Sequence, residues 1–123
     1  MSDADVNSAP PPVLDCARVL EFAVLTPAVH FTGRSLLFVD GKELGQVPCL
    51  AICEDVRTAD ILLFHCSRDW GVMGCSAHQS PEEAKVTAES IYRGVSSEWR
   101  ALNVSREAAE AYLNDLFGGD SWR

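Results

Sequence analysis

Ile61-Leu62-Leu63-Phe64 narrows the possible folds more than any other segment, because four large apolar side chains in a row leave neither face of a strand fit for water. Such a strand belongs inside a sheet with both faces covered. The run therefore predicts a central strand over 61–66 backed by helices on one side.

The flanking segments supply its neighbours. Cys49 to Glu54 predicts a second strand, joined to the first through a charged connection with Asp55, Arg57 and Asp60. Upstream, Val19, Leu20, Phe22, Val24 and Leu25 are β-formers in a run that Pro27 ends, which favours a strand. The alternative is a helix from Val13, with Val13, Ala17, Leu20 and Val24 on one face. Arg34 to Val39 is followed by Asp40-Gly41, a pair suited to a two-residue hairpin turn, and the chain should return through Lys42 to Val47. Ser67-Arg68-Asp69 reads as a turn into a strand from Trp70 to Cys75, where Gly71 and Gly74 suggest a bulge or close backbone approach.

Ser80-Pro81-Glu82-Glu83 carries a helix start: a hydroxyl for an orphan amide, proline at the first helical position, and a glutamate to complete a capping box. Ala84, Ala88 and Ile91 then recur at helical spacing, with Gly94 as the expected C-terminal cap. Glu98 to Val104 alternates as a half-buried strand does. A last helix opens at Ser105, carries Ala109, Tyr112, Leu113, Leu116 and Phe117 on one stripe, and stops at Gly118-Gly119. The order predicts an α+β fold, a mostly antiparallel sheet of about five or six strands with two C-terminal helices packed on one face. Residues 1–12, with Pro10-Pro11-Pro12, read as a flexible leader before a single domain over 13–123.

Charge bounds the partners. A net charge of −8, with ten basic residues spread along the chain, argues against unaided binding to nucleic acid or anionic lipid and leaves a basic protein as the complementary partner. The longest uncharged stretches, Phe22 to Gly33 and Trp70 to Pro81, fall short of the roughly 20 apolar residues of a membrane helix. The amino terminus is acidic where a secretory signal is basic, so the expected compartment is the cytoplasm. Five cysteines, an odd count mostly within apolar runs, read as reduced, packed thiols.

Few residues suggest chemistry. Cys49 and Cys53 share a strand face but lie roughly 13 Å apart, too far for one zinc ion. Cys75 and His78 have the spacing of a zinc knuckle and form the alternative metal pair. His65 and Cys66 point to opposite faces, which leaves His78 as the candidate base for a Cys66 thiolate. His65, Ser67 and Asp69 lack the convergence of a triad, and Glu82 with Glu83 is explained by the helix dipole. No Gly-rich phosphate loop occurs. Arg68, Asp69 and Trp70 stand at a hairpin turn as the expected contact residues.

The expected function is that of a small, acidic, non-enzymatic protein-interaction domain of inhibitor, immunity or accessory type, with no cofactor and no catalytic residue. A thiol- or metal-dependent enzyme using Cys66, Cys75 and His78 is one alternative. The other is a self-associating structural protein, a homodimer through the strand edge of the first hairpin.

Overall fold

A computed structural model of the chain describes residues 9–33, 38–39, 42–43 and 45–123. Packing is already present ahead of the first strand: Pro10 is buried, and Pro12 O accepts from Val19 N–H at 3.0 Å. Strands β1 (Val13–Leu14) and β2 (Ala17–Val24) form a hairpin over the two-residue turn Asp15-Cys16. Its φ angles are 47° and 64°, the positive pair that lets a tight turn follow the twist of its strands. The segment 17–24 is therefore strand, and the helical alternative falls away.

The chain continues through β3 (His30–Phe31), β4 (Phe38–Val39), β5 (Lys42–Glu43), β6 (Cys49–Asp55), β7 (Ile61–Cys66) and β8 (Val72–His78). Helix α1 (Pro81–Ile91) precedes β9 (Tyr92–Arg93), a 3₁₀ turn (Val95–Ser97), β10 (Arg100–Ala101) and helix α2 (Arg106–Phe117). Among the described residues the main sheet has six strands in the order β1-β2-β6-β7-β8, with β10 also paired to β2, and every pairing is antiparallel. β3 pairs β9, and β4 pairs β5, in two small ribbons. The turn expected at Asp40-Gly41 lies outside the described residues.

Strand alternation divides the sheet into two apolar faces. Ala23, Leu50, Ile52 and Leu63 meet Ala84, Ala88 and Ile91 of α1, with Tyr92 and Val95 beside them. Farther along the same face Val13, opposite Arg18 in register, joins Val56 in receiving Ala109 and Leu113 of α2. Both helices thus back one face, as predicted. The other face gathers Leu14, Val19, Phe22, Cys49, Cys53, Phe64, Cys66 and Trp70, which bury one another because the sheet curls. Each such large side chain contributes roughly 1.5–3 kcal/mol by leaving water. β7 has the covered position that its apolar run demanded.

Two boundaries show where the chain departs from expectation. The strand read over 98–104 contracts to β10, because Asn103 turns left-handed at φ 48° and the Leu102 and Asn103 amides both donate to Leu20 O at 2.9 Å. Leu20 is the residue skipped where the β2–β6 register shifts, so the bulge turns its carbonyl outward to take both bonds. Helix α1 ends at Ile91 with Tyr92 as its cap, two residues before Gly94. Gly94 instead turns the chain at φ 99°, where a Cβ would sit 3.2 Å from Ala28 O.

Candidate functional site

The C-terminal helix presents the one adjacent pair of exposed large apolar residues among those described. Its start follows from Ser105, whose hydroxyl accepts from Ala108 N–H at 3.0 Å, and its end from left-handed Gly118. The predicted stripe is split. Ala109 and Leu113 are buried and Tyr112 half-buried, but Leu116 is 62% and Phe117 53% exposed. Together with Val13, Asp15, Cys16, Tyr112 and Leu113 they line a groove of about 280 Å³ between α2 and the β1–β2 turn.

The charged residue on that lining is acidic. Asp15 lines the groove, Asp115 occupies the last helical turn, and Asp120 follows the cap, while no basic residue stands in that turn. Carboxylates at the negative end of a helix dipole are unfavourable neighbours for one another and favourable ones for an incoming cation. Trp122 is buried under the helix, with its Nε1 donating to Asn114 Oδ1 at 2.8 Å.

The turn singled out in the sequence is tightly built. Ser67 Oγ donates to the Asp69 carboxylate and accepts from Gly71 N–H at 3.0 Å, and Ser67 N–H donates to Gly71 O at 2.8 Å. The Ser67 hydroxyl, helped by the Gly71 amide, holds the Asp69 carboxyl below its usual range. Trp70 adopts φ 68°, a strained angle for a bulky residue, and is only 6% exposed. Its ring meets Phe22 edge-on at 5.8 Å. The indole is thus core and offers no surface to a partner, which corrects its place among the contact residues. Arg68 and Asp69 are exposed, and Arg68 lines a cavity of about 570 Å³ with Leu25, Thr26, Pro27, Val29, Gln46, Val47 and Pro48.

Sulfur and imidazole groups are kept apart by the pleat. Cys75 lies opposite Phe64 and His78 opposite Ile61, so the two side chains leave β8 on opposite faces and do not share a metal position. Cys66 shares its face with Cys49, its direct cross-strand neighbour, and not with His78. Burial, reinforced by Cys49, pushes the Cys66 thiol up to about 12. Burial also raises Cys53 and Cys75, so these sulfurs are held protonated near neutral pH. Among the described residues no three His, Cys, Asp or Glu side chains are placed to hold a metal ion.

One polar relay escaped the sequence reading. Ser76 Oγ lies 2.7 Å from His78 Nε2, and His78 Nδ1 lies 3.3 Å from Glu83 Oε1. The order of groups is that of a Ser-His-carboxylate triad. Glu83 is already committed to the helix start, however: its Oε1 accepts from Gln79 N–H at 2.9 Å while its amide donates to Ser80 Oγ at 3.1 Å. The relay fastens β8 to α1. The signal was available as Ser-x-His on one strand face with the capping glutamate five residues on.

No helix among the described residues is long and apolar enough to cross a membrane. No model of a known protein family, no curated protein and no solved structure matches the chain.

Proposed function

We propose that the chain is a small, acidic protein-interaction domain that receives a basic, amphipathic segment of another protein in the groove between α2 and the β1–β2 turn. The carrying observation is the exposure of Leu116 and Phe117, 62% and 53%, beside an apolar groove. A contiguous apolar surface with a polar rim is the usual mark of a contact site. Charge selects the partner: Asp15, Asp115 and Asp120, the C-terminal end of the α2 dipole and the net −8 all favour a cation beside an apolar face. An inhibitor, immunity or accessory role in the cytoplasm is the setting proposed for it.

Calorimetry with a model helix of alternating leucine and lysine faces, and its leucine–glutamate counterpart, tests this reading. The cationic helix should bind saturably and more weakly at high salt. Leu116→Ser with Phe117→Ser should weaken it at least tenfold, and Val86→Ser, at the exposed apolar residue on α1, should not. Equal binding of the anionic helix, or binding indifferent to the Leu116 and Phe117 changes, would show that the groove is not the contact.

A further inference from the structure

We infer a second site, independent of the α2 groove: the cavity beside the 67–71 turn binds a monocarboxylate with an apolar body, and Arg68 takes the carboxylate. The cavity of about 570 Å³ lies within the range of roughly 300–1,000 Å³ typical of small-ligand sites. Its floor is apolar, since Val29 and Val47 are buried at 4% and 1% exposure and half-buried Leu25 adjoins them. The polar residues on its lining are Arg68, Thr26 and Gln46.

Arg68, like Arg93 and Arg100, pairs with no carboxylate among the described residues, and of these three it is the one that lines this cavity. The nearest acid in sequence, Asp69, is turned away to Ser67 and Gly71. The turn cannot easily relax to close this gap, because Trp70 is fixed at its left-handed angle by packing on Phe22. A guanidinium is charged at every working pH and offers a planar pair of donors that fits a carboxylate two bonds at a time. Thr26 Oγ1 accepts from Ala28 N–H at 3.2 Å, which leaves its own hydroxyl hydrogen to donate. One guanidinium over an apolar floor suits a singly charged head and a hydrocarbon tail better than a dianionic phosphate. A free carboxylic acid and the C-terminus of a peptide with an apolar last residue share that chemistry.

Amide-detected NMR titration of the full chain with octanoate and octanamide tests the site. Octanoate should saturate, shifting Thr26, Gln46, Val47 and Arg68, with octanamide at least tenfold weaker. Arg68→Gln, a change at an exposed position that leaves the core intact, should lower octanoate to the octanamide level, and Arg68→Lys should recover part of the loss. Acetyl-alanyl-leucine and its amide form the second arm: tighter binding than octanoate, lost on amidation, assigns the site to peptide termini, and weaker binding assigns it to free acids. Octanoate binding that is unsaturable, matched by octanamide, or unchanged in Arg68→Gln overturns the inference. Neither result bears on the Leu116 and Phe117 surface.

Discussion

The rings of His65 and Tyr92 lie 6.3 Å apart between centroids, yet the Tyr92 hydroxyl accepts from Val47 N–H and both imidazole nitrogens have no hydrogen-bond partner among the described residues. A 1% exposed histidine in that position is costly to charge. Burial, with His78 nearby, lowers its proton affinity to about 4 from 6.5.

Acid should therefore destabilise the fold through His65 in a defined window. The unfolded chain takes up the proton below pH 6.5 and the folded one only near 4, so this contribution is intact above 6.5 and shrinks as the pH falls towards 4. At about 1.4 kcal/mol per pH unit the loss approaches roughly 3 kcal/mol. Urea unfolding at pH 7.5 and 4.5 should show His65→Leu losing less stability than the native chain, and gaining about 1 kcal/mol at pH 7.5 because two unpartnered nitrogens are removed. Equal acid losses in the two proteins would contradict the assignment.

The thiols should divide into two classes under iodoacetamide at pH 7.5. Cys49, Cys53 and Cys66, buried and in the latter two cases held protonated, should label only as fast as the sheet opens. Half-buried Cys16 should react in the native state, and exposed Cys75 should react there too, but more slowly than a free thiol because burial raises it. Peptide mapping that finds Cys66 modified first would restore the thiol enzyme as a reading.

Helix α2 gives a contrast within one stripe. Leu113→Ala should cost about 2–5 kcal/mol, since the side chain is 1% exposed, whereas Leu116→Ala should change stability by no more than about 0.5 kcal/mol. Thermal or urea unfolding of the two variants measures the difference directly. Similar losses would mean that Leu116 is packed.

Ser80→Ala should destabilise the chain by about 1 kcal/mol, because the Glu83 amide loses its acceptor, and Ser80→Gly should cost less. A silent Ser80→Ala would show that α1 is held by packing alone.

Local chemistry made some of this readable and distance hid the rest. The Ile61–Phe64 run, the Ser80 cap and the Gly118 stop each follow from forces acting within a few residues, and each appears where the sequence put it. The stripe of α2 was legible as a pattern, but where it loses contact depends on what the assembled sheet offers beneath it. Trp70 stands in a turn, where exposure and burial are both open from the sequence; its burial comes from Phe22, far earlier in the chain, across the curl of the sheet. The Arg68 cavity draws on residues near 25, 46 and 68, and no one-dimensional spacing joins them.

The outer edge of β2 is covered by two unrelated pieces of chain, β1 at its beginning and β10 near its end. During synthesis at about 5–20 residues per second, the Glu21–Phe22 backbone must wait several seconds for Arg100 and Ala101 to leave the ribosome. Until then that edge is open to any neighbouring strand. A nascent chain stalled after α1 would thus be the form most prone to pair with the wrong partner.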